Sequence, residues 1–442
     1  MPNAPTIATA NIGGAQPPTF AEAARLWARI GLINFGGPAG QIALMHRTLV
    51  DERKWIDEGR YLSALNFCML LPGPEAMQLA TYVGWRLHGL KGGLTAGLLF
   101  IAPGALVVLV LSALYAAFGK LPLAEALFLG VKAAVLAIVV EALLRIARRA
   151  LKGQADWLVA AAAFIGIFLL KVPFPLIVIA AALVGFWSGG RAADAPLASA
   201  PPASVTVWQT LRTVAIWLAI WMVPLAVVRF LFGPGHVLSE IGWFFSKLAV
   251  MTFGGAYAVL AYMAQDVVEH YRWLHAGEML DGLGLAETTP GPLILVTEFV
   301  GFLAAFREGG GNAWAMGVLG ALVTLWATFA PCFLWIFAGA PYIERLNAEP
   351  RLKAALAAVT AAVVGVILNL TVWFALQVLF GRVGEWRIGL LHISTPDPAT
   401  LNLNALALSL LAAVLLFALH RGVLTTLAVC SAAALAAFMM GL

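Results

Sequence analysis

The sequence predicts an all-α polytopic membrane protein made of two inverted-topology repeats whose leading helices are interrupted. Three observations carry that expectation. Hydrophobic residues make up 62% of the 442 positions and charged residues only 11%, against roughly 25% charged in a soluble domain. With a mean hydropathy of +0.91, an aqueous core cannot hide that much apolar surface, so the solvent is lipid. Second, apolar segments break in mid-course at Asn34-Phe35-Gly36-Gly37-Pro38 and at Leu71-Pro72-Gly73-Pro74. Third, both breaks return, as Thr252-Phe253-Gly254-Gly255 and Thr289-Pro290-Gly291-Pro292, at a constant offset of 218 residues. Trp55 and Trp273, Gly59 and Gly277, and Leu62 and Leu280 keep the same register. Paired interruptions in corresponding halves of a membrane chain point to a transporter whose site lies at the breaks.

Residues 1–19 are small and polar, without a basic or an apolar signal region, and read as a disordered cytoplasmic tail. The first repeat is expected over 20–188. Its first apolar segment, about Phe20 to Val50, breaks at Phe35–Pro38, and its second, about Tyr61 to Leu87, breaks at Pro72–Pro74. Proline removes a backbone donor and bars the preceding residue from helix, while glycine frees φ, so each break stops one helix and starts another. The resulting halves, discontinuous or re-entrant, are about half the ~20 residues that a bilayer demands. Gly92–Phe118, Leu123–Leu151, Trp157–Val172 and Phe174–Trp187 follow as full segments.

Residues 189–205, rich in Ala, Pro and Ser, read as a linker. Residues 206–232 form an extra membrane helix without a counterpart, and 236–442 the second repeat. Its later part matches at an offset of 228: Ala102-Pro103 answers Ala330-Pro331, and Val131 answers Val359. The shift falls in the loop Arg307–Asn312, the mark of a duplication with an insertion. The full reading has about 13 membrane segments. An odd number of crossings separates the two copies, so they face opposite ways. The basic cluster Arg145, Arg148, Arg149 and Lys152 is expected on the cytoplasmic side. That places the N-terminus in the cytoplasm and the C-terminus outside.

Other classes fit poorly. The net charge of +5 comes from basic residues in short loops, not from a patch, so no nucleic-acid partner is expected. Cys68, Cys332 and Cys430 are isolated, and the seven histidines show no metal spacing. Gly309-Gly310-Gly311-Asn312 lacks the lysine of a phosphate loop. No cofactor or metal is expected, and energy must come from ion gradients or the membrane potential. Neither a nucleophile nor an acid–base pair marks an enzyme. An anion channel stays open as an alternative.

The stretches NFGGPAGQIALM, DERKWID, LPGPEAMQLATYVGW, MTFGGAYAVL and TTPGP together resemble the chromate ion transporter family over roughly residues 20–440. The resemblance implies export of chromate from the bacterial cytoplasm through the inner membrane, which makes the outer side of the C-terminus, as counted from the crossings, the periplasm. Sulfate, nearly the same tetrahedral dianion, is the alternative substrate, and a homodimer is an open alternative.

For such a cargo the breaks supply donors cheaply. The first N–H groups of a helix are unpaired and its dipole is positive there. Pro38 and Pro74 suit the first position of the resumed helices. Gly36, Gly37, Gly73, Gly254, Gly255 and Gly291 are expected to let an oxyanion approach the backbone. Asn34, Gln78, Thr252, Thr288 and Thr289 lie beside the breaks and either bond the anion or cap the helix ends. Glu75 follows Pro74, where the dipole favours a carboxylate but a bound dianion opposes it, so proton and anion compete. Glu298, a second acid in the resumed helix of the later copy, does not share its register. Arg29 and Lys247 each stand six residues before a Phe-Gly-Gly, again 218 apart. They either attract the anion or snorkel to the headgroups.

Overall fold

Helix α1 (Phe20–Leu32) starts where Thr19 and Glu22 form a capping box: the Glu22 amide donates to the Thr19 hydroxyl at 3.3 Å, and the Thr19 amide to the Glu22 carboxylate at 2.8 Å. It stops at Ile33, and the chain resumes as α2 (Gly37–His46) with Pro38 in its first turn. The computed structural model describes residues 18–35, 37–189, 206–253, 256–343, 346, 349–389 and 391–441. The expected tail up to residue 17, Gly36, Gly254, Gly255 and nearly all of the 189–205 linker lie outside the described residues.

A π turn (Arg47–Glu52) ends α2, and Asp57 caps α3 (Glu58–Leu70) by accepting the Arg60 amide at 2.9 Å. Pro74 sits just ahead of α4 (Glu75–Phe118), not inside it. This helix is itself broken at His88-Gly89, where Gly89 takes φ +59°. Next come α5 (Pro122–Ala150), α6 (Gln154–Phe168), α7 (Phe174–Gly189) and α8 (Val207–Phe232). Then α9 (Val237–Met251) breaks before α10 (Ala256–Gln265), which also ends in a π turn (Asp266–His270). Helix α11 (Ala276–Thr288) breaks at the second Pro-Gly-Pro, and a 3₁₀ turn (Leu293–Leu295) leads into α12 (Val296–Glu308). Helices α13 (Ala313–Gly339) and α14 (Pro350–Leu379) follow.

Local geometry recurs at the offsets read from the sequence. Lys54 and Arg272, 218 residues apart, both follow π turns and both take left-handed φ, +54° and +57°. Helices α3 and α11 are each 13 residues long in matching positions. Helices α5 and α14 both open on a proline, 228 residues apart.

The all-α expectation needs one correction. Strands β1 (Val383–Ile388) and β2 (Leu391–Pro396) form an antiparallel hairpin, with Gly389 at φ +64° in its turn. The alternation of Glu385-Trp386-Arg387-Ile388 was legible as a strand. Its mixed polarity sets it apart from the continuous apolar runs that mark the helices. Helices α15 (Leu403–Ala413) and α16 (Val423–Met439) complete the chain.

Five helices among the described residues are long and apolar enough to cross a bilayer: α4, α5, α8, α13 with its 3₁₀ extension, and α14. The protein is thus a helical membrane protein. Its chain divides into two compact units, each using segments from both sides of the 190–205 stretch. The first comprises the described residues of 1–110, 196–255 and 289–349, and the second those of 111–195, 256–288 and 350–442. Small residues set the close approaches in each, as lipid offers no hydrophobic drive for helices to associate. In the first unit Gly301 of α12 lies against Thr324 and the Gly320 carbonyl of α13. In the second, Gly185 and Gly365 admit the Ala354 and Ala160 carbonyls, and Gly130 admits that of Cys430.

Gly301→Val should therefore destabilise by about 1–3 kcal/mol or more, since its Cβ meets the Thr324 side chain and stands 3.0 Å from the Gly320 carbonyl oxygen. Gly235→Ala, with nothing within 4 Å, should leave the thermal midpoint in detergent unchanged. Equal midpoints for the two variants would show that α12 and α13 do not depend on this approach.

Candidate functional site: the paired helix breaks

All four breaks fall in the first unit, and two backbone hydrogen bonds cross between them. The Gly73 amide donates to the Thr252 carbonyl at 2.8 Å, and the Gly291 amide to the Asn34 carbonyl, also at 2.8 Å. Gly73 and Gly291 are equivalents in the sequence register, as are Asn34 and Thr252. Each Pro-Gly-Pro break thus donates to the Phe-Gly-Gly break in the other half of the sequence. Both glycines need their lack of a side chain, with φ +119° at Gly73 and +99° at Gly291. A Cβ on Gly73 would stand 2.8 Å from Gln78 Nε2 and 3.0 Å from Cys332 Sγ. Gly104 of α4 lies so near Pro290 that a Cβ there would strike its carbonyl.

Side chains tighten the junction. Gln41 Nε2 donates to the Gly291 carbonyl at 2.6 Å, so the first copy engages both backbone groups of that glycine. Gln78 Nε2 donates to the Pro72 carbonyl at 2.7 Å, leaving its Oε1 buried without a partner. Asn34 is fully buried, and neither its Nδ2 nor its Oδ1 has a partner. An unpaired buried amide costs about 1–3 kcal/mol, so this one marks a place where hydrogen bonding is held in reserve.

The remaining expected residues divide. Thr252 is buried, and its hydroxyl donates to the Leu248 carbonyl at 2.7 Å, which makes it a helix-end bond. Thr288 likewise bonds the Leu285 carbonyl at 2.8 Å. Thr289 is buried at the second Pro-Gly-Pro. Gly37 takes φ +67° with open space around its Cβ direction. Glu75 is half-buried at the first position of α4. Arg29 is exposed on α1, while Lys247 is half-buried on α9 with its ammonium 5.9 Å from the Phe244 ring centroid. The structure thus gathers Asn34, Gly73, Gln78, Thr252 and Gly291 into one junction, with Gly73 and Gly291 directed at protein carbonyls rather than left open for an anion.

Gln41 was not singled out from the sequence. A glutamine four residues into a resumed apolar helix, seven after Asn34, was the available signal. Cys332 is isolated in the sequence, and only the fold brings it to Gly73.

Residues 21–186 and 239–438 match the family described as chromate transporter. The chain belongs to the chromate transporter family. The matched stretches begin at α1 and α9 and leave α8 between them. Among relatives of the family, a chromate transport protein of Pseudomonas aeruginosa is 32% identical over 398 residues, covering 87% of this chain and 88% of the relative. One from Cupriavidus metallidurans is 30% identical over 377 residues, or 82% and 84% of the two chains. A probable chromate transport protein of Synechococcus elongatus is 28% identical over 390 residues, or 86% and 92%. No solved structure matches the chain. Membership of a transporter family agrees with the absence of enzyme motifs in the sequence.

Replacing Gln41 with Leu should lower stability by about 1–3 kcal/mol, because the buried Gly291 carbonyl loses a donor. Gly291→Ala should add about 1–2 kcal/mol of backbone strain. Thermal unfolding of the purified variants reads both, and unshifted midpoints would show the junction to be energetically slack.

Proposed function

We propose that this protein carries chromate out of the cytoplasm across the bacterial inner membrane, binding it at the junction of the four breaks. The observation that carries the reading is the exchanged pair of hydrogen bonds, Gly73 to Thr252 and Gly291 to Asn34, with the fully buried, unpartnered Asn34 amide beside it. Family membership and the chromate transport named for its relatives supply the substrate class.

In this reading Asn34 Nδ2 and the leading N–H groups of the resumed helices hold the oxygens, at lower desolvation cost than a buried cation would impose. Gly36, Gly37, Gly254 and Gly255 give the anion access to backbone donors. Gly73 and Gly291 set the spacing of the breaks. Gln78, Thr252 and Thr289 frame the junction, and Arg29 and Lys247 raise the local anion concentration. Glu75, at the start of α4, repels a dianion while ionised and so links anion binding to a proton.

The recurrent local geometry and the reciprocal bonds support two inverted repeats, 20–188 and 236–442, separated by the linker and by α8, with about 13 membrane segments counted from the sequence. Reciprocal donation is what a pseudo-twofold axis at the junction would generate. Rocking of one element against another would expose the junction to each side in turn. Two negative charges crossing a potential of about 100 mV, negative inside, gain roughly 4.6 kcal/mol, which favours exit. The basic loop after α5 keeps the N-terminus in the cytoplasm and the C-terminus in the periplasm.

Radiolabelled chromate flux in proteoliposomes tests the proposal. Efflux should accelerate with an inside-negative potential set by valinomycin, and unlabelled chromate should drive counterflow. Insensitivity to potential would favour proton exchange, and collapse of the gradient without counterflow would favour a channel. Sulfate competing as well as chromate would shift the substrate assignment. Asn34→Leu should cut chromate affinity at least tenfold without loss of protein from the membrane. Arg29→Gln should weaken it more than Lys247→Gln, because a guanidinium holds two oxygens at once. Native transport by all three variants would remove the junction from the binding role.

A further inference from the structure

A second cavity in the first unit has a chemistry opposite to that of the breaks. It holds about 590 Å³ between the later half of α4, α8, α12 and α13. Its lining is aliphatic and aromatic throughout, with one exception, Glu298 of α12. That residue is 1% exposed, and its Oε2 has no hydrogen-bond partner. Among the described residues no lysine, arginine or histidine pairs with it. On the rim, Leu98, Leu106 and Leu322 are 54%, 64% and 53% exposed, on helices apolar enough to cross the bilayer. The mouth therefore opens to lipid. Inside, Trp217 stacks on Phe333 at 5.8 Å between ring centroids, and Trp326 is anchored by its indole N–H donating to the Trp221 carbonyl at 3.1 Å.

We infer that this cavity is a binding site for a lipophilic monovalent cation, which enters from the bilayer and sets its charge against the Glu298 carboxylate. The reading follows from charge complementarity. A carboxyl buried in an apolar cavity needs a counter-charge to ionise, and no side chain among the described residues supplies one. The aromatic rings add favourable quadrupole contacts for an onium group and a surface for its apolar body. A lipid acyl chain would fill the volume but leave Glu298 Oε2 as unpartnered as before. A tetrahedral oxyanion would find no cation in the lining and would meet a carboxylate. The site is thus distinct from the breaks and takes a ligand of the opposite sign.

The test uses the full chain in nanodiscs with tritiated tetraphenylphosphonium as the probe. Saturable binding of one cation per chain is expected, weakened at least tenfold by Glu298→Gln. Leu325→Trp, which narrows the cavity and leaves the carboxyl in place, should weaken it severalfold. Triphenylphosphine oxide, with similar rings and no charge, should not compete. In the unaltered protein, dicyclohexylcarbodiimide should label Glu298, as located by mass spectrometry, and tetraphenylphosphonium should slow that labelling severalfold. The labelling decides the matter even where a variant fails to fold. Equal binding by Glu298→Gln, competition by the neutral oxide, or labelling indifferent to the cation would each overturn the inference. The last two would leave an apolar slot for acyl chains.

Discussion

A helix interrupted inside a bilayer exposes backbone N–H and C=O groups that lipid cannot satisfy, and the junction of the four breaks answers that constraint. Gly73 and Gly291 donate across to Thr252 and Asn34, so each break completes the backbone bonding of another. Left-handed φ at both glycines directs these amides out of line with their own helices. The close approach of Gly104 to the Pro290 carbonyl belongs to the same arrangement, because the broken chain must be shielded as well as bonded. Loss of any one break would strand the groups of its partner.

Reciprocity in the backbone does not extend to the side chains. Gln41 and Gln78 hold carbonyls at the junction, while Val259 and Val296 stand at the matching positions of the later copy. Asn34 is a free amide, while its counterpart Thr252 turns its hydroxyl back onto Leu248. The main-chain bonds are matched between the two halves of the sequence, while the polar side chains that tighten them come from one half. An anion held there would meet unequal surroundings on its two sides.

The buried acids follow a related division. In the second unit Asp281 lies 3.4 Å from the Lys132 ammonium and accepts the Tyr115 hydroxyl at 2.8 Å. Glu287 accepts the Tyr257 hydroxyl at 2.6 Å. Glu298, in the first unit, has no such partner on its Oε2. In a low-dielectric interior an unmatched carboxyl is the unusual case, and intramembrane acids of that kind commonly serve a ligand or a proton.

Much of this was legible in the residues themselves. The broken segments, their register and the lipid solvent followed from proline and glycine placement and from hydropathy, because helix interruption is a local backbone property. The resumed helices start within a residue or so of Pro38 and Pro74, and α3 ends at the expected break. The hairpin of β1 and β2 is local too, carried by the alternation of Glu385-Trp386-Arg387-Ile388. Tertiary structure alone decided which breaks bond to which, that Gln41 reaches Gly291 across 250 positions of sequence, and that Glu298 faces an apolar cavity. Those outcomes depend on how helices distant in sequence pack, and a stripe of leucine, alanine and glycine fits several packings about equally well. Sequence fixes where a helix must break; only the packed fold determines which groups meet the freed donors and acceptors.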